Sequence, residues 1–409
     1  MHKIRWSQRQ TELALVAAGL IGLATAGLAA CGTDTTSTTT DDAGTTSTDG
    51  ATASNDATTT GDGASVSGKC TLADTSENTK AVVAAANALS ATLTAEQKTA
   101  IQYEKTLANA QQWSNFPTTF VKRNGVRLAD MSVEARAAAV ALAEAAAGAQ
   151  GAKLLSELRA ADQWLVTDGK ASSADYGDGL YYFSFHGTPS ASAPWMLQVA
   201  GHHLAYNFTY NGRCTGASPL FEGAEPMDWT DNGTARSPMA SARGAMVALV
   251  GAVSAKSEAK LTGTFNDLVN GPAAARPGGG TTTGNGDTKY RASLTYPSGT
   301  TGRGVAVATL SAEQKALVKT AIEAWVKNVA DPVSSAILAE YESDAALAET
   351  YVGYAGATDL TSQSSYVRID GPRVWIEASV QGGIVYRNVV HWHTIWRDKI
   401  SDYGADFVE

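Results

Sequence analysis

The sequence predicts an α+β fold: helical N-terminal and middle segments packed on a mainly antiparallel sheet formed by residues ~180–221 and ~365–396. Two observations carry this. Helix-like and strand-like stretches come in blocks rather than in alternation, which argues against a doubly wound parallel sheet. Both strand-like blocks are aromatic and β-branched and contain turn residues, at Gly187-Thr188-Pro189 and at Asp370-Gly371-Pro372-Arg373.

The chain begins with an export signature. Lys3, Arg5 and Arg9 precede an apolar run from about Leu13 to Ala30, and the run ends Leu28-Ala29-Ala30-Cys31. This is the layout of a secretory signal peptide over residues 1–30, too short and too weakly apolar for a spanning helix. Its end looks like a bacterial lipobox, with Cys31 as the lipidated residue. An ordinary signal with a chance cysteine is the alternative. Two or more acyl chains anchor a protein stably to a membrane. Gly32 stands where an aspartate would resemble an inner-membrane retention signal, so the expected address is the outer membrane or the cell surface.

Residues 32–67 hold 18 Ser or Thr, six Asp and no Lys or Arg. Such a segment cannot bury enough apolar area to offset its ordering entropy, and residues 31–67 read as a lipidated cysteine on a disordered linker. The signal carries three basic residues and one acidic one. Of the formal net charge of −9, about −5 is therefore left for residues 68–409, a mildly acidic remainder that gives no support for nucleic acid as a partner. Residues 68–409 read as a single globular domain with a flexible Pro/Gly/Thr loop at ~272–288; two domains split near 275–290 are the alternative. Cys70 and Cys214 form an even pair, which in an oxidising compartment reads as a disulfide, two unpaired thiols being the alternative.

Residues 71–165 are rich in Ala, Leu and Glu and read as helices. Thr94 and Gln97 form the signature of a capping box at one helix start. Residues 91–98 are nearly repeated at 308–315; two independent helix starts explain this better than an internal duplication, because the similarity fades after the cap. Strands follow from about Tyr181 to Tyr210, helices over 236–270 and 311–349, and strands again from Ser365 to Trp396.

Apart from His2, the histidines occupy two neighbourhoods: His186 with His202 and His203, and His391 with His393. Alternation places Val367, Ile369, Val374, Ile376, Ala378 and Val380 on a core face, and Tyr366, Arg368, Trp375 and Glu377 on the other. A three-residue loop at Gln381-Gly382-Gly383 would set Val380 opposite Ile384 and Glu377 opposite Arg387, and would put His391 and His393 on the Glu377 side. Residues i and i+2 of a strand face one way, about 6–7 Å apart, so both imidazoles can converge on one ion. In a regular strand, His203 is the better third ligand and His202 a packed, hydrogen-bonded residue; a bend at Gly201 would exchange them. His202, His203, His391 and His393 are thus the metal-ligand candidates for a divalent transition metal (zinc, copper or iron). Buried histidines that lock strand ends, or a metal-free polar cleft, are the alternatives. Asp398 is a candidate to orient an imidazole and Arg397 to hold an anionic substrate group, although Asp398 or Ser401-Asp402 can equally cap a turn. A phosphate-binding glycine loop, a Gly-x-Ser-x-Gly elbow, a His-Glu-x-x-His helix and a Cys-x-x-Cys pair are all absent.

These stretches resemble a family catalogued as domain of unknown function 3500 (DUF3500), over most of residues 85–404. The resemblance rests on Trp113-Ser114-Asn115-Phe116-Pro117, Arg123-Asn124-Gly125, Tyr182 through Ser190, Trp195, Gly201-His202-His203-Leu204, Pro219 through Pro226, Tyr366 through Pro372, and above all His391-Trp392-His393-Thr394-Ile395-Trp396-Arg397-Asp398 with Asp402-Tyr403-Gly404. The family pattern has an asparagine where Val390 stands and lacks a histidine at the place of His186. It brings no activity, so it supports the location of the site and leaves its chemistry open. The expected function is a metal-dependent exported enzyme, hydrolase or oxidoreductase, acting on a small molecule; a non-catalytic surface ligand- or metal-binding protein is the rival.

Overall fold

A computed structural model describes residues 70–263, 265 and 296–407. Cys31, the signal segment, the linker and the loop expected at ~272–288 lie outside the described residues.

The first half opens with helix α1 (Ser76–Thr92), α2 (Ala95–Ile101), the short strand β1 (Gln102–Tyr103) and α3 (Leu107–Ala110). Strand β2 (Val126–Arg127) leads through a 3₁₀ turn into α4 (Val133–Thr167), and then come β3 (Tyr182–His186), β4 (Trp195–Gly201), β5 (Leu204–Asn211), β6 (Cys214–Gly216) and β7 (Leu220–Ala224). The hairpin of β8 (Trp229–Asp231) and β9 (Thr234–Arg236) links to the second half. That half runs through α5 (Ala240–Val253), β10 (Val305–Ala306), α6 (Ala312–Val326), α7 (Asp331–Tyr341), α8 (Asp344–Ala348), β11 (Tyr351–Ala355), β12 (Tyr366–Asp370), β13 (Val374–Gly382) and β14 (Val390–Asp398). This is the α+β architecture expected, with the sheet in the expected places. The strands β1 and β2 within the 71–165 stretch expected to be helical, and β10 and β11 outside the two expected strand blocks, were not foreseen.

Local chemistry starts the helices. The Thr94 and Gln97 capping box opens α2, and the same reciprocal pair, Ser311 and Gln314, opens α6. Ser132 caps α4 by accepting from the Ala135 amide. Gly148, at φ 65°, kinks α4 where Ala330 packs against it; a Cβ there would lie 3.0 Å from the Ala330 Cα.

The sheet runs β1-β3-β4-β5-β7-β14-β13-β12-β11-β10, with β2 beside β3 and β6 beside β5. It is antiparallel apart from β1 with β3. On either side of the β7–β14 seam the succession is the same: β2, β3, β4, β5, β7 outside-in, and β10, β11, β12, β13, β14 outside-in. In each half the strand that starts this succession, β2 or β10, follows a glycine in the left-handed region, Gly125 (φ 102°) or Gly304 (φ 116°). At each, a Cβ would strike the carbonyl oxygen of the neighbouring strand, Phe183 or Val352. In each half a short strand, a 3₁₀ turn and a serine-capped helix follow. The fold is thus two copies of one unit about the central seam. The repeat noticed at 91–98 and 308–315 joins non-equivalent helix starts, since the counterpart of Ser311 is Ser132 rather than Thr94.

One sheet face carries Phe183, Phe185, Val199, Tyr206, Phe208, Ile369, Ile376, Trp392 and Trp396 into a core shared with α1, α4, α5 and α6. The other face is covered near the seam by Trp113, which packs with Ala200, Ala205, Phe221 and Ile395. Cys70 and Cys214 form the expected disulfide, with Cα atoms 6.2 Å apart, tying the first described residue to β6. No helix among the described residues is long and apolar enough to cross a membrane.

The expected register of the last hairpin is corrected. β13 continues to Gly382, opposite Val390, so that Glu377 faces Ile395 and not Arg387. The connection is a longer loop, organised by the buried Glu225: its Oε1 accepts from the amides of Ile384, Val385 and Tyr386 at 2.8–2.9 Å. Reading Gln381-Gly382-Gly383 as a three-residue loop missed a longer connection whose shape depends on a carboxylate just past β7. The slip is an even number of residues, so the face assignment is unaffected: His391 and His393 lie across from Gln381 and Ser379, on the Glu377 side.

Candidate metal centre

Strand β14 supplies His391 and His393, two residues apart and therefore on one face. His203 comes from the other half. The regular strand expected through His202 and His203 is not formed: Gly201 pairs with Leu204, and the two histidines make the two-residue turn of the β4–β5 hairpin. His203 takes a left-handed φ of 58°. The turn is held by Tyr181, whose hydroxyl donates to the His202 carbonyl at 3.1 Å, and by Arg123, which donates to the Gly201 carbonyl at 3.0 Å. The Gly223 amide donates to the His203 carbonyl at 2.8 Å, stitching the turn onto β7.

The three Nε2 atoms converge. His203 Nε2 lies 3.1 Å from His393 Nε2, and His391 Nε2 lies 3.0 Å from the same atom. One nitrogen from each of the three rings fits within 4.8 Å of the others. Ligands on a tetrahedral zinc-like ion at ~2.0–2.1 Å would stand roughly 3.3–3.4 Å apart, so the rings are nearly in ligating positions. His203 and His391 are buried, while His393 keeps partial solvent access. Burial, reinforced by the neighbouring histidines, pushes His391 down to about 2 and His203 well below the usual imidazole range. Both rings are neutral at physiological pH, which is the form that offers a lone pair to an ion. The His391 ring also shares a hydrogen bond with the Gly382 backbone. A group of three histidines in this arrangement can hold a metal ion.

His202 is not in the triad. Its Nδ1–H donates to Asp162 Oδ1 at 2.6 Å, and its ring stacks on His203 with centroids 3.7 Å apart. Burial raises the Asp162 carboxyl, against the opposing pull of His202. His186 is elsewhere: it bonds Ser184 Oγ at 3.0 Å, stacks on Tyr103, and burial lowers it to about 4.

Arg397 and Asp398, expected to place substrate and orient an imidazole, are not brought to the histidines. Arg397 lies four residues past His393, about 13 Å along the strand, and donates from Nη1 to Asp402 at 2.7 Å. Asp398 points to the opposite face. It accepts from Tyr341 at 2.8 Å, from Arg373, and from the amides of Ile400 and Ser401 at 2.9 and 3.0 Å. It caps the chain reversal after β14, the other role open to it from sequence. Glu377, expected to pair with Arg387, instead accepts from the Tyr366 hydroxyl at 2.5 Å; burial raises it to about 7. Arg387 is exposed.

Two positions escaped the sequence reading. Asp162 interrupts the buried Leu155, Leu158 and Leu165 stripe of α4, a charged residue at an apolar-face position and hence a legible signal. Gly223 lies beside the triad: a Cβ there would be 3.1 Å from His203 Cδ2. Only the cross-strand pairing of Gly223 with His393 shows why no side chain fits.

The family match follows the same residues. A family model described as "Protein of unknown function (DUF3500)" covers residues 75–405, and so includes all three converging histidines. The chain belongs to the DUF3500 family. No curated protein and no solved structure matches it. Within this DUF3500 chain the matched span includes both copies of the repeated unit, and the three histidines gather where the copies meet.

Proposed function

We propose that this DUF3500 protein is an exported, lipid-anchored metalloprotein whose three-histidine centre is catalytic. The observation that carries the reading is the convergence of His203, His391 and His393 nitrogens within 4.8 Å. An ion held by three imidazoles keeps a coordination position free, and supplies activation of water for hydrolysis if it is zinc, or of O₂ for oxidation if it is copper or iron. His391 and His203 present neutral rings, the His202–Asp162 pair buttresses His203 from behind, and His393 is the least buried of the three. The lipid-anchored address, at the outer membrane or cell surface, rests on Cys31 and its preceding apolar run; the Cys70–Cys214 disulfide is in keeping with an oxidising compartment. Commitment of Arg397 and Asp398 to structural ion pairs favours the rival reading, a non-catalytic carrier of metal or ligand.

Metal analysis of the purified protein tests the centre. One equivalent of a transition metal, lost in His391→Ala and in His393→Ala with folding retained, supports it. Metal content unchanged in both variants ends it. Turnover by the loaded protein but not by these variants then separates enzyme from carrier.

A further inference from the structure

The helical side of the sheet carries a second polar site. Glu222 of β7 pairs across the seam with Thr394, and so points away from the histidine face. It is 1% exposed, yet it lines a cavity of about 340 Å³, at the low end for small-ligand pockets. Its Oε1 accepts from Asn328 Nδ2 at 2.7 Å, and Asn328 Oδ1 in turn accepts from Gln150 Nε2 at 3.0 Å. That relay fixes the orientation of the amide and leaves the second carboxyl oxygen of Glu222 without a protein partner among the described residues. Across the cavity stands the start of α5, a 14-residue helix whose N-cap is Met239, with no side-chain cap. The Ala240 amide donates to the Ser237 carbonyl at 3.2 Å; the next first-turn amides, of Ser241 and Ala242, have no partner within the helix, and both residues line the same space. Lys153 stands at the mouth.

We propose that this cavity binds a small monocarboxylate, its carboxylate held between the Glu222 carboxyl and the first turn of α5. The groups that meet there are donors. Burial raises Glu222 to about 8, so at neutral pH it carries a proton and donates it in a short, charge-assisted hydrogen bond to a bound carboxylate. The helix N-terminus favours negative charge. Leu154, Met239 and Ala324 give an apolar wall for a short hydrocarbon tail. The other titratable groups facing Glu222 are Lys153 and Glu157 of α4 and Tyr206 of β5; burial pushes Tyr206 far up, so it stays neutral throughout. The site is independent of the metal centre, because Glu222 and the triad occupy opposite faces of the sheet.

Calorimetric titration of the full-length protein with sodium benzoate, and with benzyl alcohol as the uncharged control, tests this. The expected result is saturable benzoate binding at pH 6, no binding of benzyl alcohol, and at least tenfold weaker benzoate binding at pH 9.5. Glu222→Gln keeps a donor and cannot ionise, so it should bind benzoate equally at both pH values. Glu222→Leu should lose binding while metal content and the circular dichroism spectrum stay unchanged. No benzoate binding to wild type at millimolar concentration overturns the proposal. So does equal binding by Glu222→Leu, equal binding of benzyl alcohol, or a pH loss that survives in Glu222→Gln.

Discussion

Gly223 lies against His203: a methyl group at position 223 would stand 3.1 Å from the imidazole Cδ2 and 2.9 Å from the Trp392 carbonyl oxygen. The glycine lets the hairpin turn of one copy lean over the seam toward β14 of the other. It fixes where the His203 ring meets His393.

Gly223→Ala should therefore displace the ring while leaving most of the fold intact. Loss of one well-placed ligand, or of what orients it, typically costs about 10–100-fold in metal affinity. Competition with a calibrated chelator would read that shift. Affinity within twofold of wild type would mean that His203 is not held by this contact.

The His202–Asp162 pair is buried, and removing one partner leaves the other unsatisfied. Asp162→Ala should destabilise the protein by about 1–3 kcal/mol, the usual cost of a stranded buried donor. Denaturant unfolding measures it. The companion His202→Phe, which keeps a ring stacked on His203 and strands the carboxylate instead, should be destabilised as well and should still bind metal.

Acid should weaken the metal-free protein. Burial depresses His186 to about 4, His391 to about 2 and His203 well below the usual imidazole range. The unfolded chain, with imidazoles near ~6.5, takes up protons that the folded chain refuses. Stability contributed by these neutral rings is complete above the unfolded value and falls as pH drops below it toward 4. Thermal unfolding of the chelator-treated protein between pH 7.5 and 4.5 should show a steadily falling Tm, and His186→Phe should flatten part of that slope. A Tm that rises on acidification would contradict the burial of these rings.

Reduction should be costly. The Cys70–Cys214 bond spans 144 residues, and closing a loop of that size stabilises by up to about 5 kcal/mol in the chain-entropy model. Cys70→Ser or treatment with a thiol reductant should lower the denaturant midpoint accordingly, with the sheet's circular dichroism retained under native conditions. An unchanged midpoint would show that β6 and the start of the domain are held by packing alone.

Much of the architecture could be read from residue order. Side-chain alternation depends only on the strand being extended, so Val374, Ile376, Ala378 and Val380 were placed on the core face, and His391 and His393 on the other, even though the hairpin register was wrong. The cysteine pair and the block pattern of helix and strand were legible for similarly local reasons. Register was not, because the loop after Gly382 is shaped by Glu225, more than 150 residues earlier in the chain. The His202-His203 turn was not either, since two adjacent histidines look the same in a strand or a reversal, and Tyr181, Arg123 and Gly223 decide between them.

What the sequence determined by itself is the class of fold, the face of β14 that carries its histidines, and the short list of residues able to ligate. Those follow from backbone periodicity and side-chain chemistry. Tertiary structure alone decided that His203 joins the pair, that His202 instead serves Asp162, and that Arg397 and Asp398 are tied up elsewhere. Whether side chains distant in the chain meet is set by how strands pair across a seam between two copies of one unit, and that pairing depends on contacts no local pattern encodes.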